Sequence, residues 1–389
     1  MLGKRAILVT FTAILVLWAA GALGRTWEVR LDATGDYTDI QPAVEAAAPG
    51  DTIHIGPGRF DTFHPITAPA WTEPTIVAVL KDNLTFIGSG RDATILGPVN
   101  YSGTYDENPR VFCSYGGYSA HISDLTMAQV KAGIYWEQGK LGVQRCRFDA
   151  TSPDCFGMML WTDECRVADC SFNQPSGGTA VLALNQMGNM QSCRLTDCEI
   201  TGADYGIQVG YAAPNVVIER TSIVGAFWAL TIEGGSSCAL DHVVLTNVRE
   251  QALWLSGASN VEIRDCEFRG GRYGIVAIGS TIAAANLILA ETTITSMVFY
   301  LNSQATVNSS HILPDSGLAF NCYSYSASQV AIDLTGNYWG TTDSNVIAAM
   351  IHDGNDDPVL HCTVLYEPFA AGPLPTESVS WGDLKAAFR

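Results

Sequence analysis

Lysine is scarce: there are five in 389 residues, against 39 aspartates and glutamates and a formal charge of −18. Without a basic surface nothing can displace phosphate counterions, which excludes a nucleic-acid partner. The same acidity disfavours anionic membrane surfaces. Beyond residue 24 no segment is apolar enough, for long enough, to span a bilayer. The eleven cysteines include no C-x-x-C pair, so the common zinc-site spacing is missing. GSGRDATILG lacks a phosphate-loop lysine, and its glycines read as turns.

The N-terminus has a recognisable pattern. Lys4 and Arg5 precede the apolar run AILVTFTAILVLWAA, and Ala20-Gly21-Ala22 fits a small-residue cleavage site. This predicts a cleaved signal peptide over residues 1–24, and an exported protein that is secreted, periplasmic or on the cell surface. The run is short for an uncleaved anchor, and no cysteine follows it to carry a lipid. Residues 25–370 read as one domain. Residues 371–389 read as a linker and short tail, in which Trp381, Leu384 and Phe388 share a face as an end-cap or attachment tag.

Within the domain one phrase recurs. VEIRDCEFRGG, CRVADCSFNQP and CRLTDCEITGA are near-copies. Aligned on the central position, Leu125, Cys146, Cys170, Cys198, Thr221, Val243, Cys266 and Thr292 fall in register, with gaps of 21 to 28 residues. Three places earlier stand Ile122, Val143, Val167, Leu195, Ile218, Leu240, Ile263 and Leu289. Two places later stand Met127, Phe148, Phe172, Ile200, Ile223, Leu245, Phe268 and Ile294. Every flanking position is apolar.

A repeat near 23 residues with period-two alternation implies a solenoid whose strands each bury one face. A second strand precedes each phrase (AGIYW, FGMML, TAVLA, YGIQV, WALTI, QALWL and YGIVA), with Ile134, Met158, Val181, Ile207, Leu230, Leu253 and Ile275 inward. The leucine-rich-repeat phrase of similar period is missing. The expected fold is all-β, a parallel β-helix in which Ile218, Leu240 and Ile263 form one buried column.

GDYTDIQPAVEAAAPGDTIHIGPGRF, residues 35 to 60, resembles the opening of right-handed parallel β-helix proteins of the pectin-lyase-like superfamily. LTFIGSGRDATILG and GNYWG resemble the next and last coils of that family, so the resemblance covers roughly residues 26 to 369. It implies a short N-terminal capping helix; Ile40, Ala43, Val44 and Ala47 are spaced for one helical face, and Pro49-Gly50 stops it. The family's polygalacturonase-like and pectinesterase-like signatures do not occur here.

Cys146, Cys170 and Cys198 occupy one position of successive coils, and Cys165 and Cys193 another. Stacked coils place such residues about 4.8 Å apart. Buried thiols as small hydrophobes are the leading reading, with inter-coil disulfides and metal ligation as alternatives. On that reading Cys170→Ser destabilises by about 1–3 kcal/mol. Cys322 and Cys362, outside the columns, are candidates for a disulfide securing the last coils.

Function then falls to the outward positions. Alternation presents Tyr135, Trp161, Gln208 and Trp254, with Tyr211 just past its strand, as a face for sugar rings. Glu137, Asp163 and Glu233 are the carboxylates on that face and the candidate acid–base residues of a polysaccharide lyase or glycoside hydrolase. The alternative is a non-catalytic glycan-binding or surface scaffold protein. The expected partner is a polysaccharide or surface glycan, and no cofactor is expected. Calcium at the Asp169/Asp197 turn is a weak option, since Arg145 and Arg220 flank it; HDGNDDP, residues 352–358, reads as an acidic turn.

Overall fold

The computed structural model describes residues 24–67, 72–100, 109–150, 154–174, 177–258, 260–323 and 329–375. The expected signal peptide, Gly24 apart, and the tail residues Trp381, Leu384 and Phe388 lie outside them. The chain winds as a right-handed parallel β-helix whose coils, among the described residues, stack into sheets of 14, 11 and 13 strands. A representative coil runs Glu164–Ala168, Ser171–Asn173 and Thr179–Leu184, one strand in each sheet. Neighbouring coils pair in parallel; one hairpin, His64–Thr67 with Thr72–Ala78, departs from this. No helix among the described residues is long and apolar enough to cross a membrane.

Helix α1, Ile40–Ala46, sits at the N-terminal end with Ile40, Ala43 and Val44 buried. Its buried Gln41 accepts the backbone N–H of Ala78 at 2.8 Å, tying the cap to the 13-stranded sheet. Ile218 pairs with Leu240 and Leu240 with Ile263, and all three are buried, so the predicted column is present. In the 11-stranded sheet the rings of Phe148 and Phe172 lie parallel, 4.5 Å apart.

The eighth repeat is registered differently from its sequence alignment. Ile263 pairs with Ala284 and Phe268 with Leu289, so Leu287, not Thr292, follows Cys266 in the column. Ile282 and Ala284 occupy the inward positions of TIAAA there, and the small apolar area of Ala284 gave a weaker pattern than the Leu289–Ile294 run beyond.

A column of small residues faces the aromatic one. Gly133, Gly157, Ala180, Gly206, Ala229, Ala252 and Gly274 stand at the corner entering the 13-stranded sheet. A Cβ on Gly157 would lie 2.5 Å from the Ala180 carbonyl oxygen and 2.6 Å from the Phe172 ring. Close approach, not backbone conformation, demands glycine here. Gly157→Ala should cost about 1–3 kcal/mol through overpacking, read as a lower denaturation midpoint at unchanged m-value. An unaltered midpoint would mean the Phe172 ring yields freely.

Every cysteine is buried as a thiol. The column thiols are also hydrogen-bond donors: Cys170 Sγ lies 3.3 Å from the Ala168 carbonyl and Cys198 Sγ 3.3 Å from that of Thr196. Thr221 repeats the contact with its hydroxyl, 2.9 Å from the Glu219 carbonyl. The site therefore supplies a serine hydroxyl with a partner, which removes the basis for a 1–3 kcal/mol penalty. Cys170→Ser should cost no more than about 1 kcal/mol, and a larger loss in thermal melts would show that thiol volume dominates. Contact with Cys193, with burial, pushes the Cys165 thiol far up. At the C-terminal end the Cys362 thiol is in hydrogen-bond contact with that of Cys322, which together with burial raises it.

Between the 14- and 11-stranded sheets each coil turns on a single left-handed residue. Asp124, Arg145, Asp169, Asp197, Arg220 and His242 hold φ between 42 and 61°. Left-handed backbone is costly for such side chains, and ion pairs along the ladder offset part of that. Arg145 donates to both carboxylate oxygens of Asp124 at 2.6 Å, and Arg220 to both of Asp197 at 2.9 and 3.0 Å. The Arg145 hydrogen bond holds the Asp124 carboxyl below its usual range.

Candidate functional site

The outer face of the 13-stranded sheet carries two separate clusters of the predicted residues. In the first, Tyr135 is buried beneath its neighbours: its ring centroid lies 5.2 Å from Tyr115, 5.0 Å from Trp161 and 3.6 Å from the Arg110 guanidinium. Its hydroxyl donates to Glu137 at 2.6 Å. Burial, then this carboxylate, pushes the phenol well above its ordinary range. Asp163 lies past the strand end, where its carboxylate accepts the Gly139 N–H at 3.2 Å and the Asn189 amide at 2.5 Å. Those contacts tie adjacent coils together. Tyr211, also past its strand, is 58% exposed.

The second cluster is a groove. Gln208, Glu233 and Trp254 line a hollow of about 350 Å³ together with Tyr205, Trp228 and Gln251. A second hollow of about 500 Å³ continues from it, sharing Gln251 and Trp254 and walled by Tyr273, Tyr300 and Tyr323. Tyr205 and Trp228 lie 4.6 Å apart, and Tyr300 and Tyr323 stack at 4.9 Å. Two polar atoms in this wall are buried without partners: Trp228 Nε1, a donor, and Gln251 Oε1, an acceptor.

Tyr205, Trp228, Gln251 and Tyr273 form one ladder of the sheet that strict alternation hides. Ala229 and Leu230 are both buried, as are Ala252 and Leu253, so the corner breaks period two. The residue before the pair therefore points outward with Gln208 and Thr231. The signal in the sequence was an aromatic or amide immediately preceding each small residue.

Glu137 and Glu233 stand four coils apart, about 19 Å at about 4.8 Å per coil. On the turn ladder Asp169 pairs with Arg91 at 3.1 Å and Asp197 with Arg220, so the Asp169/Asp197 turn is balanced by arginine. Asp241, His242 and Asp265 bring three potential metal-ligand atoms within 4.8 Å of one another at the surface. In the 352–358 turn, Asp353 accepts the N–H groups of Asn355 and Val364.

No family model matches the chain, and no curated protein matches it in sequence. Solved structures do. The A-module of the mannuronan C-5 epimerase AlgE4 from Azotobacter vinelandii superposes with a TM-score of 0.59 at 12% identity, covering 86% of this chain and 94% of that one. The AlgE6 A-module from the same organism gives 0.54 at 14% identity, covering 85% and 93%. At such identities the likeness concerns the fold alone, a right-handed parallel β-helix.

Proposed function

We propose that this is an exported protein that binds polysaccharide in the groove running from Tyr205 to Tyr323. One observation carries the reading: a continuous trough over six coils joins aromatic walls to a buried donor and acceptor that have no protein partner. Sugar rings offer apolar faces to aromatics and hydroxyls to such polar atoms. Both of the solved structures named above are modules of mannuronan C-5 epimerases, which supports a fold that accommodates a polysaccharide.

Binding is favoured over cleavage. Paired carboxylates that act on one glycosidic bond stand roughly 5–10 Å apart. Glu233 is the carboxylate of the groove, and Glu137 lies beyond that reach. Affinity electrophoresis of the full chain against a panel of soluble polysaccharides tests the proposal, with reducing ends and unsaturated products assayed in parallel. Retardation without product is expected. Retardation by none of the polymers would remove the binding reading, and catalytic product would restore the enzyme reading.

A further inference from the structure

We infer that the groove selects an uncharged glycan, a chain of neutral sugars rather than a polyuronate; this rests on the binding reading above. Among the described residues no lysine or arginine lines either hollow. The arginines nearest its rim are engaged: Arg272 pairs with Glu250 at 3.3 Å and Arg249 with Asp204 at 3.1 Å. The charged side chain in the lining is Glu233, which is exposed, on a chain of net charge −18. A polymer with a carboxylate on each sugar would meet like charge and find no counter-charge.

Hydrogen-bond polarity points the same way. Gln251 Oε1 and the Glu233 carboxylate are acceptors, and each needs a ligand donor. Ionised carboxylates only accept, whereas sugar hydroxyls both donate and accept. A hydroxyl also satisfies Trp228 Nε1, because it can accept from that donor. A neutral hexose donates from every hydroxyl, whereas a uronate replaces its primary hydroxyl with an acceptor-only carboxylate that cannot donate to Glu233. The apolar remainder, including Val276, Ile278 and Val298, gives no compensation to a charged group.

The test compares the full chain on neutral polymers (β-glucan, mannan, xylan) and on polyuronates (polygalacturonate, alginate). At least one neutral polymer should bind, with an affinity unchanged when salt is raised from about 0.05 to about 0.5 M. Polyuronates should bind at least about tenfold more weakly. Trp254→Ala should weaken neutral-polymer binding. Tighter binding of a polyuronate, lost in Trp254→Ala, would overturn the inference while leaving the groove as a glycan site. Strong salt dependence of the preferred polymer would overturn it as well. Binding of no polymer in either class would overturn the functional reading and the inference together.

Discussion

Phe172→Ala should destabilise the protein by about 3–5 kcal/mol, the range for removing a fully buried aromatic ring. The ring is 1% exposed, stacks on Phe148, and lies against the Gly157 backbone. Collapse cannot refill the space, because the strands on both sides are held in register by parallel ladders to the coils above and below. The transfer cost and the cavity cost therefore both remain. Ile200, Ile223 and Leu245 follow in the same column, so Phe172→Leu should lose much less. Urea titration of the two variants, with hydrogen exchange resolving coils near residue 172, separates local loosening from global loss. A penalty below about 1 kcal/mol for the alanine variant would show that this column is not the core.

The part of the architecture that repeats was legible, because β-helix burial is periodic and each coil writes its inward residues at fixed offsets. Ile218, Leu240 and Ile263 were found this way, whereas the capping helix, with Ile40 and Val44 buried, was implied by the family resemblance of residues 35–60. Ala284 was missed because a methyl group gives little pattern, and the register of one coil slipped with it. Cys170 illustrates a subtler limit. Its burial was readable from the column, whereas the carbonyl that accepts its hydrogen bond belongs to backbone geometry at the turn.

The candidate site was legible only in part, for a related reason. Gln208, Glu233 and Trp254 obey strand alternation and were placed on one face from sequence. Tyr300 and Tyr323 obey it too, two and three coils beyond Trp254. Tyr205, Trp228 and Tyr273 do not, since the corner puts two consecutive residues inward. Tyr135 satisfies alternation yet is covered by Tyr115, Trp161 and Arg110, contacts between coils that no single repeat encodes. Period two therefore reports the direction of a side chain and not what lies over it.

Trp254→Ala should weaken binding of a neutral glycan by about 1–2 kcal/mol, roughly 5- to 30-fold, because a rigid aromatic at the centre of a site dominates recognition energy. Trp254 lines both hollows, so its loss interrupts the trough instead of shortening one end. The ring is half-buried, and its removal should cost about 1 kcal/mol of stability or less. Trp161→Ala is the informative contrast. That ring lies four coils from Trp254 and packs on buried Tyr135, so its loss should lower the melting temperature and leave affinity unchanged. Tyr211→Ala, at an exposed position beyond its strand, should move neither quantity. Thermal melts and glycan titrations on the three variants give six numbers with a distinct expected pattern. Equal loss of affinity in Trp161→Ala and Trp254→Ala would extend the ligand along the whole sheet, past the groove. Full affinity in Trp254→Ala, with folding intact, would place any glycan elsewhere, because no chain seated in a trough can ignore the residue that joins its two halves.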